Sequence, residues 1–356
     1  MSKAHLSLLA LLLLGAALLT ACSNKGGTTS STSRPRFRAA VVTDTGGIND
    51  MSFNANAWLG LQRAQKELGI EAKFVESKEQ ADYETNLREL ADEGYDLIFA
   101  VGFLMKDAVD KVAPDYPKAR FVLIDAEAAR RPNAASIIFR EQEGAYLIGA
   151  LAGLTTRTGT LGFVGGMEVP VIKRFEAGYK AGAMTTRPGS RVLVKYTNNW
   201  VDIATGKEMA LAEYNEGADI VFHASGRCGI GVINAARERG RGYYAIGVDA
   251  DQDYLGCADP RNPKPPSRVL TSMLKRVDNC VFDLCKQAAG GRFTPGTHVF
   301  GVKEGGIDLS PMKYTKQDIP PAALAKISAL RKQIEQGTLK PPADMKELQS
   351  FRAPAM

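Results

Sequence analysis

Short runs of apolar, often β-branched residues alternate along this chain with stretches whose apolar positions recur at helical spacing. That alternation predicts strands over residues 37–43, 72–76, 96–101, 120–124 and 135–139, with helices over 54–68, 83–93 and 106–112. The pattern then repeats. Strands are predicted at 161–164, 191–196, 219–223, 244–248 and 269–272, with helices at 171–183, 205–216 and 229–239. A helix over 274–289, a strand over 297–302 and an amphipathic helix over 320–337 follow, the last with Leu324, Ile327, Leu330 and Ile334 on one side. Runs such as Asp96-Leu97-Ile98-Phe99-Ala100-Val101 are apolar on both faces, as parallel strands covered by helices on both sides must be. The expected class is α/β, with two similar doubly wound lobes, and 356 residues suit two domains. A cleft between such lobes is the default small-molecule site.

The first twenty-two residues follow a different logic. Lys3 precedes an apolar stretch over residues 6–19, too short to cross a ~30 Å hydrocarbon core comfortably as a helix. Its charged start, apolar middle and small-residue end are those of an export signal over 1–21. The end, Leu19-Thr20-Ala21-Cys22, looks like a bacterial lipobox, in which Cys22 is acylated and becomes the membrane-anchored amino terminus. Residues 22–36, rich in Ser, Thr and Gly, read as a flexible tether. Four further cysteines remain, Cys228, Cys257, Cys280 and Cys285, an even number for an oxidising compartment. Cys228 and Cys257 each follow a predicted strand end and are the preferred disulfide. Four free buried thiols are the alternative.

Composition narrows the chemistry. Hydrophobic residues make up 45% and charged residues 24%, ordinary globular usage. The net charge of +6 is spread out, with no Lys/Arg run of the kind that tracks nucleic acid. Only three histidines occur, His5, His223 and His298, and they are scattered, so no metal centre or cofactor is expected. No nucleophile elbow or phosphate-loop lysine is present, and no catalytic residue is expected. Gly226-Arg227-Cys228-Gly229-Ile230-Gly231 lacks the spacing of a dinucleotide fingerprint.

Ligands of open α/β sheets bind beyond the carboxyl ends of the strands. The residues that follow the predicted strands include Asp44, Asp125, Asp249, Asn198, Asn199, Trp200, Gly226 and Lys275. Carboxylates that only accept hydrogen bonds, one lysine, amides and aromatic rings suit a neutral ligand with hydroxyls and a flat face. Three aspartates repel a phosphate, which favours a nucleoside over a nucleotide. Each strand-end Asp has a helix-capping alternative, and Phe53 and Phe175 are equally compatible with the core.

Four ordered motifs then matter: Asp44-Thr45-Gly46-Gly47-Ile48-Asn49-Asp50-Met51-Ser52-Phe53-Asn54, Phe139-Arg140-Glu141-Gln142-Glu143-Gly144-Ala145-Tyr146-Leu147, Arg174-Phe175-Glu176-Ala177-Gly178-Tyr179 and Ile246-Gly247-Val248-Asp249-Ala250-Asp251. With them the body, from about Arg38 to Leu339, resembles the basic membrane protein (BMP) family of PnrA-like nucleoside-binding lipoproteins. The resemblance implies a type I periplasmic-binding-protein fold, two Rossmann-like lobes joined by three crossovers. Residues 37–142 plus 273–295 are expected to form the first lobe, 143–272 plus 296–312 the second, and 313–356 a tail. It implies a purine nucleoside ligand delivered to the permease and ATPase of an ABC importer, on a monomeric, lipid-anchored protein facing the periplasm or cell exterior. Phe53 and Phe175 would stack on the base, Asn54 and Asp125 would read its edge, and Asp249, Lys275 and the Gly226 backbone would hold the ribose. Asp44 and Trp200 would line the site. Arg227-Cys228 and the loop over 257–266 depart from the family pattern near the expected sugar side, which leaves a free purine base as an alternative ligand. A sensor with the same pocket is the second reading, and a nucleoside-cleaving enzyme a remote one.

Overall fold

The computed structural model describes residues 36–354. The export signal, the lipidation site Cys22 and all but the last residue of the tether lie outside the described residues. Among the described residues no helix is long and apolar enough to cross a membrane.

The first five strands are β1 (Arg38–Thr43), β2 (Glu71–Glu76), β3 (Leu97–Val101), β4 (Arg120–Ile124) and β5 (Ala134–Phe139), interleaved with helices α1 (Phe53–Leu68), α2 (Asp82–Asp92) and α3 (Lys106–Val112). Helix α4 (Glu141–Thr155) then carries the chain to a second set: β6 (Thr160–Gly165), α5 (Pro170–Thr186), β7 (Arg191–Tyr196), α6 (Ile203–Asn215), β8 (Ile220–Ala224), α7 (Cys228–Arg239), β9 (Tyr244–Asp249) and β10 (Val269–Lys275). Helix α8 (Val277–Ala289) returns to the first set and β11 (Gly296–Phe300) joins it. The short β12 (Ile307–Leu309) goes back to the second, followed by α9 (Pro321–Glu335) and α10 (Met345–Ser350).

Two six-stranded sheets result, ordered β11-β5-β4-β3-β1-β2 and β12-β10-β9-β8-β6-β7. The order is the same in both once five is added to each of the first five numbers, so the second half repeats the topology of the first. All pairings are parallel except β10 with the closing strand β12. Every residue of β3 and β8 is buried, whereas the edge strands β2 and β7 are mostly half-exposed. The chain passes between the sheets at Arg140, at Arg276 and at residues 301–306, the three crossovers of a type I solute-binding fold.

The strands and most helices fall within a few residues of their predicted positions, with informative exceptions. Helix α4 was not predicted, because it is apolar nearly all round: eleven of its fifteen residues are buried, which erases the one-sided pattern that marks a surface helix. It packs on α5 at backbone distance. A Cβ on Gly149 would lie 2.2 Å from the Tyr179 carbonyl oxygen, and one on Gly182 would lie 2.0 Å from that of Tyr146, so only glycine fits at either place. The helix expected from residue 274 starts at Val277, because Leu274 and Lys275 continue β10 as its last residues. The segment 296–312 does not belong wholly to the second lobe: β11 pairs with β5 in the first sheet and only β12 joins the second. Residues 273–275, in turn, lie in the second sheet.

The expected Cys228–Cys257 bridge is not formed. All four body cysteines are free and buried. Cys228 opens α7 and its thiol donates to the Asn199 side-chain oxygen at 3.2 Å, so it is aimed at the loop after β7 and not at Cys257.

Candidate functional site

Between the carboxyl ends of the two sheets lies a cavity, where open α/β sheets receive their ligands. Asp44, Phe53, Asn54, Asp125, Phe175, Trp200, Gly226, Asp249 and Lys275 all line it. Further lining residues that had not been singled out include Leu104, Val169, Ile172 and Ser225. Apolar residues on a loop or a first helical turn carry no signal that separates them from core.

The loop from β1 into α1 builds one wall. Asp50 accepts hydrogen bonds from the backbone N–H groups of Ser52, Asn54 and Ala55, which fixes the start of α1 and so places Phe53 and Asn54. Asp44 accepts from the Gly46 N–H and from Asn54 Nδ2, both at 2.9 Å. The second bond orients the amide: Asn54 Oδ1 is left as a buried acceptor with no partner. Gly102, after β3, has φ near 125°, and a Cβ there would come within 2.8 Å of Asp44 Oδ2. Burial pushes the Asp44 carboxyl up, opposed by the Asn54 and Gly46 hydrogen bonds.

The ends of β4 and β9 supply Asp125 and Asp249. Both adopt left-handed backbone conformations, φ 73° and 64°, which a non-glycine residue holds only where its surroundings compensate. Asp125 Oδ2 is 2.6 Å from Lys275 Nζ, and Glu141 Oε1 lies 3.1 Å from the same ammonium. Glu141 in turn pairs with Arg174 Nε at 2.6 Å. The ammonium also faces the rings of Phe53 at 4.9 Å, Phe139 at 5.0 Å and Phe175 at 5.8 Å. Burial disfavours the charge on Lys275, but Asp125, Glu141 and Asp249 outweigh it and raise its pKa. Burial likewise works against ionisation of Glu141, and Lys275 and Arg174 overcome it, holding this carboxyl below its ordinary value. For Asp249 burial prevails and its pKa is raised; its nearest bond is from the Ser52 hydroxyl on the opposite wall.

Four buried polar atoms around the cavity have no hydrogen-bond partner: Asn54 Oδ1, Asp125 Oδ1, Trp200 Nε1 and Ser225 Oγ. Buried polar groups are nearly always paired, so this cluster in an otherwise aromatic and aliphatic lining marks where a polar molecule fits. Glu141 and Arg174 were not among the expected site residues, although both stand inside motifs that carried the resemblance. Arg227 is exposed, Cys228 packs into the lobe, and the loop over 257–266 lines a separate hollow beside α7. None of these departures reaches the cavity. Among the described residues no cluster of His, Cys, Asp or Glu is placed to hold a metal ion.

A paired-lobe α/β fold with a cavity at the strand ends is the architecture of type I solute-binding proteins. A solved ABC transporter solute-binding protein from Aeropyrum pernix superposes with a TM-score of 0.77 at 31% identity, covering 88% of this chain and 96% of that one. A CD4+ T-cell-stimulating antigen of Listeria monocytogenes is 38% identical over 317 residues, covering 86% of this chain and 88% of its own. The ABC transporter nucleoside-binding protein BmpA of Lactococcus lactis is 36% identical over 338 residues, 92% of this chain and 96% of that protein. The chain belongs to the Bmp family, described as ABC transporter substrate-binding protein PnrA-like, which matches residues 37–338.

Proposed function

We propose that this member of the family captures a purine nucleoside, or a related purine, in the cavity between its lobes and hands it to the permease of an ABC importer. The observation that carries this reading is the set of unpartnered buried polar atoms among aromatic walls. Asn54 Oδ1 and Asp125 Oδ1 are acceptors suited to the N–H groups of a base edge. Phe53 and Phe175 supply faces for the ring, at about 1–3 kcal/mol per stack. Asp249 and the remaining N–H of Lys275, with the Gly226 backbone, suit a ribose diol through bonds of about 1.5–3 kcal/mol each to charged groups. These sum to roughly 10 kcal/mol gross, compatible after ordering costs with micromolar or tighter binding.

Three buried carboxylates disfavour a phosphate, and on this reading the ligand is returned intact. Acylation at Cys22 would hold the body at the outer face of a membrane, within reach of a permease, as a monomer. The test is mass spectrometry of small molecules released from protein purified out of cells, followed by calorimetry with nucleosides, free bases and nucleotides. A purine nucleoside bound at micromolar or lower concentration supports the reading. Binding of sugars or peptides in its place, or recovery of free base and ribose after incubation, rejects it.

A further inference from the structure

We propose that Glu141 and Arg174, neither of which lines the cavity, are positioning residues for ligand capture. They hold the Lys275 ammonium at the cavity from behind, across two of the chain crossovers. This deepens the reading above and rests on it.

Glu141 is the first residue of α4, immediately after the crossover at Arg140, and Lys275 is the last residue of β10, immediately before the crossover at Arg276. Their 3.1 Å ion pair therefore ties together two of the strands that pass between the lobes. Arg174, on α5, holds the other oxygen of Glu141 at 2.6 Å. The result is an alternating row, Arg174–Glu141–Lys275–Asp125, that starts in the second lobe and ends at a first-lobe carboxylate with an unpartnered oxygen facing the cavity. Glu141 is wholly buried and Lys275 nearly so.

The charged and titratable groups facing Lys275 are Asp125 from the end of β4, Glu141 from α4, Asp249 from the end of β9 and, on the α8 side, Cys280. Its other neighbours are the phenyl rings of Phe53, Phe139 and Phe175. An ammonium among three rings stays protonated because carboxylates outweigh its desolvation. If Asp125 alone did this, its charge would be consumed by the lysine. With Glu141 sharing the ammonium, Asp125 keeps an oxygen for ligand and Lys275 keeps an N–H. Glu141 alone would leave a buried negative charge off-centre, and Arg174 balances it.

The test uses the full chain, adenosine as probe because it stays neutral throughout the pH range, and the variants E141Q, E141D and E141Q/R174Q. The double variant leaves no half-buried arginine without its partner, so it separates folding from positioning. Wild-type affinity is expected to hold within threefold between pH 7 and pH 10. E141Q and E141Q/R174Q are expected to bind at least tenfold more weakly at pH 7 and to lose a further tenfold by pH 10. The direction follows from the lysine: its raised pKa keeps it charged through this range, and removing a carboxylate lowers that pKa so that charge is lost as pH rises. E141D should recover most of the loss. Unchanged affinity, or a loss by the same factor at both pH values, overturns the proposal.

A second readout needs no ligand. The Lys275 ammonium signal in ¹⁵N-lysine spectra, assigned with K275M, should persist at pH 10 in the wild type and vanish in E141Q. If adenosine and other purine nucleosides do not bind the wild type while this signal behaves as expected, the nucleoside reading fails and the Glu141–Lys275 coupling stands. If adenosine binds and both the signal and the alkaline limb are unaltered by E141Q, the positioning proposal fails alone.

Discussion

The two lobes share a topology but not a chemistry at equivalent places. Register in the sheets aligns Asp125 with Asp249, Phe139 with Lys275 and Ala100 with His223. At the first pair both lobes place a carboxylate in a left-handed turn. Their partners differ. Asp125 is held by an ammonium from the other sheet, and Asp249 by a neutral hydroxyl, Ser52, from the first-lobe loop. At the second pair one lobe has a phenyl ring where the other has the lysine. The repeated fold thus sets where polar groups arrive, and asymmetric side chains decide which of them is neutralised by the protein and which is left for a ligand. Each carboxylate has one oxygen bonded by the protein, Asp125 by a charge and Asp249 by a neutral group.

The sharpest way to break this comparison is Lys275→Met, which leaves Asp125 and Glu141 buried without their shared cation. Denaturant unfolding should show a loss of about 3–5 kcal/mol. A loss under 1 kcal/mol would mean that the ammonium is not what holds Asp125. The third pair predicts a pH effect confined to one lobe. Burial lowers the His223 pKa to about 4 from its ordinary 6.5, so the fold keeps it neutral while the unfolded chain protonates. Its penalty is absent above pH 7 and grows as pH falls from 6.5 to 4, reaching about 3 kcal/mol at 1.36 kcal/mol per unit. His223→Gln should flatten that acid limb in stability measured against pH. An unaltered limb would place the sensitivity elsewhere.

Among the walls, Phe175→Ala should weaken every purine ligand alike, by about 1–3 kcal/mol. Selective loss of one base in calorimetry would count against simple stacking. Asp249→Ala should reduce nucleoside affinity at least tenfold, about 1.4 kcal/mol. Unchanged affinity would reject its sugar role. The smallest effect belongs to Ser52→Ala, about 1 kcal/mol for one hydrogen bond. A penalty equal to that of Lys275→Met would erase the asymmetry between the two carboxylates.

Much of this was legible in the linear pattern. Strands such as β4 and β7 match their predicted ends, because fully apolar or alternating runs are short-range signals. The strand-end search also reached Asp44, Asp125, Asp249 and Lys275, since in a doubly wound sheet chemistry collects where strands stop. Helix α4 escaped because burial on all sides leaves no polar face to betray it. The partition of β11 and β12 between sheets escaped because a short strand's choice of neighbour is a matter of contacts far away in sequence.

Local composition by itself determined the α/β class, the repeat of one half in the other and the residues that end each strand, because period and turn chemistry act over a few positions. Only the tertiary structure decided that Lys275 rests on Asp125 and Glu141, that Asn54 turns its oxygen inward, and that Cys228 and Cys257 stay apart. Those outcomes depend on which groups meet in the folded chain, from 10 residues apart for Asn54 and Asp44 to 150 for Lys275 and Asp125, and on the loss of water around them. Neither quantity is written in any short window of sequence.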